Sequence, residues 1–360
     1  MKRQVTIGGM IVVISVATAA AYGIVQSRWF GSTAPRSAAP GGTTTVATPQ
    51  ASAVQGLPGE RAAGPMRQPV TVAQAPAPQA QPAAPPQAAA KPAIPCENPN
   101  AMGVARVVEI DTAGGPGFGS QHFKTYDFLR DHEVVLTFDD GPWLNNTQAV
   151  LKALADQCLR ATFFPIGKHA TYYPEILKQV VAAGHTIGNH TWSHADLQAV
   201  MKKGGPDAAK EEIEKGASAV RMMAGAPTAP FFRFPDLRHP PEMLTYLGER
   251  NIASFSTDID SWDFKIKKPD ELIKSLMGKL NKLGKAIILM HDFQKVTSIA
   301  LPQILGQLQK NGFKVVHMVP RSTLTTLPQY DEAVLKENKL PTLTGNKPAE
   351  SVVRTISGEP

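Results

Sequence analysis

Short apolar runs recur along the second two-thirds of the chain, and most are followed by a stretch with helical spacing. Residues 134–138 (VVLTF) precede a helix-like segment near 147–157, and residues 161–166 (ATFFPI) precede one near 173–183. Residues 186–187 lead into the segment holding His190, and a helix is predicted over 208–223. Residues 231–234 read as a strand before a helix over 242–250, and residues 252–259 as a strand before one over 270–283. Residues 286–290 (AIILM) come before a helix over 299–311, and residues 314–319 close the series. Gly184 and Gly284 fall just past helix ends, where a left-handed cap is wanted. Strands too short to be helices, alternating with helical patterns, predict an α/β domain of about seven strand–helix units built on a parallel sheet or barrel.

The first quarter of the chain follows a different pattern. After Met1, Lys2 and Arg3 comes an uncharged stretch over 4–27, whose apolar heart over 7–25 is long enough to span a bilayer as a helix. Ala19, Ala20 and Ala21 resemble a small-residue cleavage site, so an uncleaved anchor and a cleaved signal peptide both fit, with the anchor favoured. Residues 31–95 hold 13 of the 31 prolines and lack apolar periodicity. Such a segment buries too little surface to offset its ordering entropy and reads as a disordered linker. The chain therefore divides into a signal peptide or anchor over 1–27, a Pro/Ala-rich linker over 28–95, a catalytic domain over 96–325 and a loose tail over 326–360. The expected location is outside the cytoplasmic membrane, in the periplasm or cell envelope, with membrane contact only through the N-terminal helix.

Charge alters the picture little. The formal net charge is +7, but the first 99 residues hold seven Lys/Arg against two acids, so the domain itself is close to neutral. No basic face is implied and no nucleic-acid partner is expected. The two cysteines, Cys96 and Cys158, permit one disulfide in an exported protein, which would tie the start of the domain to the end of its first helix. Two separate buried thiols are the alternative.

Chemically able residues stand at the ends of the apolar runs. Asp139 and Asp140 follow VVLTF, His190 and His194 follow TIGN, Arg233 lies within FFRFP, Asp260 and Asp263 end or follow the 252–259 stretch, and His291 follows AIILM. Strand C-terminal ends converge on one face of a parallel α/β barrel, so these groups are expected to meet. Taken alone, Asp-Asp-Gly-Pro is good turn chemistry, and a pair of histidines four residues apart could be one core and one surface residue. Together, two imidazoles and one carboxylate make a ligand set that leaves positions open for water and substrate, and zinc is the natural first choice among divalent ions. His291 suits a general acid oriented by Asp263, and Arg233 could hold a base carboxylate ionised.

These segments together resemble the polysaccharide deacetylases of carbohydrate esterase family 4, the NodB-homology domain. The resemblance covers about residues 130–320 and is carried in order by TFDDGP at 137–142, ATFFPIG at 161–167, HTWSH at 190–194 and LMH at 289–291. It implies a distorted (β/α) barrel, with Asp139 as catalytic base, Asp140, His190 and His194 as metal ligands, and His291 as the acid that protonates the leaving amine. It further implies that Arg233 positions Asp139, that Asp263 tunes His291, and that Leu289 lines the acetyl pocket. A backbone N–H near Asp236 would help hold the oxyanion. Two positions depart from the pattern: Asp236 stands where the family has Tyr, and Phe264 where it has Trp. Trp143 and Trp262 are sugar-stacking candidates, with ordinary packing as the alternative.

The expected activity is metal-dependent removal of N-acetyl groups from a polysaccharide (peptidoglycan, a chitin-like polymer or exopolysaccharide), with release of acetate. An O-acetyl esterase of the same family and a non-catalytic envelope glycan-binding protein are the alternatives. Two histidines and a carboxylate also suit a non-haem iron oxygenase, although the Asp139/His291 pair would then be idle. The sequence leaves the polymer and the oligomeric state open.

Overall fold

A computed structural model describes residues 96–338. The expectations for 1–27 and 28–95, and for the last part of the tail, lie outside the described residues. Among the described residues no helix is long and apolar enough to cross a membrane.

The chain runs through β1 (Val104–Ile110), β2 (Gly117–Phe118), β3 (Glu133–Asp139), α1 (Asn146–Asp156), β4 (Thr162–Phe164), α2 (Gly167–Tyr172), α3 (Pro174–Ala182) and β5 (Thr186–Ile187). It continues through α4 (Leu197–Ala224), β6 (Phe231–Phe232), α5 (Pro241–Glu249), β7 (Ala253–Phe255), β8 (Ile259–Asp260) and α6 (Pro269–Leu283). β9 (Ala286–His291), α7 (Lys295–Lys310), β10 (Lys314–Pro320) and α8 (Pro328–Glu337) complete it. The unbroken apolar runs have a simple cause: every residue of β3 is buried, as expected of a parallel strand covered on both faces. α6 shows how the helices are bounded. Pro269 opens it, Asp270 and Glu271 sit in its first turn, and Gly284 ends it with φ 81. Leu272, Ile273, Leu276, Met277 and Leu280 form its buried stripe.

All strand pairings are parallel. β3 is the axis. Along one edge it pairs with β9 from Val134↔Ala286 to Asp139↔His291. Its other edge is shared: β10 pairs with its start at Glu133 and Val134, and β4 with its end from Thr137 to Asp139. β5 lies beyond β4, β8 beyond β9, and β1 beyond β10. A second sheet, β2–β7–β6, joins the first through the bridge Asn189↔Phe232 and through the chain linking β7 to β8. The strands thus follow one another in the order β3–β4–β5–β6–β7 and β8–β9–β3, with β7 joined to β8 by the chain rather than by a ladder, and with β10 and β1 at the shared edge of β3. This is the distorted (β/α) barrel that the resemblance implies.

Four expectations change. β1 and β2 precede the first expected strand; β1 has alternating partial and full exposure, the mark of an edge strand rather than an apolar run. The 252–259 stretch is two strands, because Thr257 and Asp258 bond the β9 backbone at Ile287 and turn the chain from one sheet to the other. The 208–223 helix begins at Leu197, with a kink at Gly205 (φ 78, ψ 179) just before Pro206. Finally, residues 326–338 are not a loose tail. α8 starts with Pro328 in its first turn, buries Val334 and reaches α4 through the Lys215–Glu337 ion pair. Arg221 donates to Thr326 Oγ1 at 2.9 Å, and Arg250 to the Thr325 carbonyl at 2.8 Å. The folded domain therefore extends past 325.

Cys96 and Cys158 form a disulfide across a sequence separation of 62. It joins the start of the described chain to the segment just after α1, where Asn98 Nδ2 also donates to the Asp156 carbonyl at 2.7 Å.

Candidate active site

The ends of β3, β5, β6, β8 and β9 carry the expected groups to one place. Asp139 and His291 are register partners across β3 and β9, so both side chains leave the sheet on the same side. Asp140 follows in a left-handed conformation, φ 71, which turns its carboxylate toward the loop after β5. There, Asp140 Oδ1 lies 3.4 Å from both His190 Nε2 and His194 Nε2. Asp140 Oδ2 lies 3.9 Å from His291 Nε2.

Asp140, His190 and His194 offer three ligand atoms within 4.8 Å of one another. Asp140 Oδ1 is buried and has no hydrogen-bond partner among the described residues. A buried, unpartnered carboxylate oxygen is costly unless a cation takes it. Burial disfavours the Asp140 anion, but His190, His291 and His194 outweigh it and hold this carboxyl well below the usual range. His190 Nδ1 lies 2.7 Å from the Arg233 carbonyl, which can only accept, so Nδ1 carries a proton and Nε2 is the nitrogen that faces the cluster. The donor set of two imidazoles and one carboxylate fits a divalent cation with open positions.

Two further groups flank this cluster, each with its own support. Asp139 Oδ1 accepts from Arg233 Nη1 at 2.7 Å, and Asp139 Oδ2 lies 3.9 Å from His190 Nε2. Arg233 is fully buried, stacks 4.4 Å from the Phe164 ring centroid, and donates to Thr137 Oγ1, the Phe255 carbonyl and the Ser256 carbonyl. It is an ion-pair partner held from all sides rather than a surface cation. On the other flank, His291 Nδ1 lies 2.6 Å from Asp263 Oδ1. Asp263 Oδ2 also accepts from the His291 amide at 2.7 Å and from Thr297. Burial opposes the His291 imidazolium, but the hydrogen bond and charge of Asp263, with Asp140 and Asp139 behind, push it up to about 10.

The remaining candidates are placed less uniformly. Leu289, two residues before His291 on β9, is buried on the same side of the strand. Phe264 is 40% exposed, with its ring centroid 5.7 Å from that of His291. Asp236 is exposed in a left-handed turn, φ 56, and its charge reaches His194. Trp143 packs edge-on against His169, Tyr173 and Phe293, which fits the packing alternative. Trp262 is 49% exposed, with Lys265 and Lys279 over its ring. Asp260 accepts from the Trp262 amide at 2.9 Å and pairs in register with Leu289, near enough for its charge to be felt by His291 and Asp263.

Two residues at the site escaped the sequence reading. Asp292, next to His291, is buried, accepts from the Gly141 amide and Thr147, and is pushed up to about 7 by that burial. His169 Nδ1 lies 2.5 Å from the Asp140 carbonyl. The only sequence signal for Asp292 is an acid directly after a strand-end histidine; His169 gives none.

The family model described as polysaccharide deacetylase matches residues 129–253. A peptidoglycan-N-acetylglucosamine deacetylase of Bacillus cereus is 33% identical over 189 residues, covering 51% of this chain and 66% of that protein. The chain thus spans just under two thirds of that relative. A chitooligosaccharide deacetylase of Azorhizobium caulinodans is 32% identical over 191 residues, covering 52% of this chain and 86% of that one. Among solved structures, a peptidoglycan deacetylase of Bdellovibrio bacteriovorus superposes with a TM-score of 0.54 at 28% identity, covering 62% of this chain and 61% of that one.

Proposed function

The chain belongs to the polysaccharide deacetylase family, and on that premise we propose that it hydrolyses N-acetyl groups on an envelope polysaccharide in a metal-dependent reaction, releasing acetate and a free amino sugar. The observation that carries this reading is the buried, unpartnered Asp140 Oδ1 between two imidazoles, with a separately supported base and acid on either side.

Asp140, His190 and His194 would hold the cation, with zinc the first choice. A divalent ion there supplies a Lewis acid that polarises the acetamide carbonyl and lowers the pKa of water. Asp139, held in place by its hydrogen bond from Arg233, would take the proton of the attacking water. His291, kept protonated by Asp263, delivers a proton to the leaving nitrogen, without which the amine would depart as a poor anionic leaving group. A backbone N–H near Asp236 would share the oxyanion, a role indifferent to the exchange of Tyr for Asp. Leu289 would meet the acetyl methyl, and Phe264 would wall the groove beside His291.

We propose further that the domain works outside the cytoplasmic membrane. The disulfide supports this, because such bonds persist in oxidising compartments. Peptidoglycan is the favoured polymer, since the N-terminal apolar segment and linker suit a tether near the envelope.

The test is acetate release from peptidoglycan, from N-acetylglucosamine oligomers and from O-acetylated xylan, with and without chelator. The reading expects chelator-sensitive release from the N-acetylated substrates, lost in Asp139→Asn. Release from xylan alone would favour the O-acetyl esterase, and Asp139→Asn activity equal to wild type would overturn the mechanism.

A further inference from the structure

Asp292 follows the end of β9, is 1% exposed, and takes no part in the proton transfers described above. A buried carboxylate needs donors on both oxygens. Here they come from the segment that follows Asp140. Oδ1 accepts from the Gly141 amide at 3.1 Å, and Oδ2 from the Thr147 hydroxyl at 2.5 Å. Thr147 Oγ1 in turn accepts from the Trp143 amide at 2.7 Å, so one carboxylate closes a set of bonds around residues 141–147. The fit is tight: a Cβ on Gly141 would stand 2.0 Å from Asp292 Oδ2. The approach of this carboxylate, rather than any unusual backbone angle, is what demands glycine in the Asp-Asp-Gly-Pro turn.

Asp140 is left-handed, a region sparsely populated by L residues, though Asn and Asp enter it more readily than others. Its amide donates to the Phe164 carbonyl at 3.2 Å, and its carbonyl meets His169 Nδ1. The Gly141 carbonyl accepts from the Ile166 amide at 3.2 Å. Those ties all reach toward β4 and α2. The bond to Asp292 is made from β9, the strand that carries His291.

We propose that Asp292 is a positioning residue for Asp140. It pins the turn after β3 to the strand end bearing His291, and so fixes the distance between the ligand cluster and the proton donor. The inference rests on the metal-binding reading above. Asp292→Ala leaves the Gly141 amide and the Thr147 hydroxyl without their acceptor, and the turn is free to relax. Asp292→Asn keeps an acceptor for the Gly141 amide.

The experiment titrates Zn²⁺ alone into the metal-stripped full-length protein and measures affinity by calorimetry, with Asp140→Ala as the control. Outer residues that orient metal ligands change affinity by about 10–100-fold. Asp292→Ala is expected to weaken zinc binding in that range, and Asp292→Asn to fall between it and wild type. A merely structural role would lower the Tm and leave zinc affinity intact. Wild-type affinity in both variants overturns the proposal, and if the alanine variant does not fold, wild-type affinity in Asp292→Asn does so alone. Zinc binding abolished by Asp140→Ala but untouched at Asp292 sinks only this inference. A wild-type chain that takes up no zinc sinks the metal reading and this inference together.

Discussion

Asp263 holds His291 at two points, its Oδ1 2.6 Å from the imidazole Nδ1 and its Oδ2 2.7 Å from the backbone amide. One carboxylate therefore sets both the charge state of the ring and the direction in which Nε2 points. The neighbouring Thr297 hydroxyl, on α7, keeps that carboxylate from turning away.

The first prediction concerns pH. An acid acts only while protonated, and, against burial, the hydrogen bond and charge of Asp263 raise the His291 pKa. Removing the Asp263 charge lowers that pKa, because burial then acts with less opposition. Asp263→Asn should move the alkaline limb of the kcat/KM profile to lower pH and reduce kcat by roughly 10²-fold or more. The profile itself is the measurement, and an alkaline limb left in place would show that Asp263 does not tune the acid.

A second concerns the Arg233–Asp139 pair, which is buried on both sides. Breaking a buried pair by removing one partner leaves an uncompensated charge and costs about 3–5 kcal/mol. Arg233→Met should lose stability on that scale in urea unfolding and should lose deacetylation. Arg233→Lys should recover little, since an ammonium cannot reach Asp139, Thr137 and two backbone carbonyls at once. Unfolding midpoints close to wild type in Arg233→Met would contradict the ion-pair account.

The third concerns Cys96 and Cys158. Closing a loop of this length removes unfolded-state entropy worth roughly 4 kcal/mol in the chain-entropy picture. Cys96→Ser with Cys158→Ser should lower the urea midpoint accordingly, and reductant should lower the wild type but not the double variant. Zinc affinity and acetate release, measured well below the midpoint, should stay near wild type, because the bond lies after α1 and away from the strand ends. Reductant sensitivity that persists without the two cysteines would remove the disulfide as its cause.

Much of the site was legible in the sequence because its members are side chains at strand ends, and parallel strands bury enough apolar surface to announce themselves. Asp139, Asp140, His190, His194, Arg233, Asp263 and His291 could all be placed from that rule alone. His169 and Asp292 could not. Their partners are the Asp140 carbonyl and the Gly141 amide, and backbone groups are the same at every position in a sequence. The fold failed to show where burial is partial. β1 alternates on an edge, and α8 buries only Val334. The break between β7 and β8 is set by Thr257 and Asp258 bonding a distant strand, which no local pattern contains.

The shared edge of β3 bears on how faithfully this centre can be assembled. A one-residue slip of that strand would exchange the sides on which Phe138 and Asp139 project. It would send a carboxylate into the hydrocarbon layer beneath and bring a phenyl ring to the catalytic rim. With β9 along one edge and β10 and β4 dividing the other, such a slip has to undo three alignments at once. The side on which Asp139 projects is thus tied to three neighbouring strands at once, before any substrate or cation arrives.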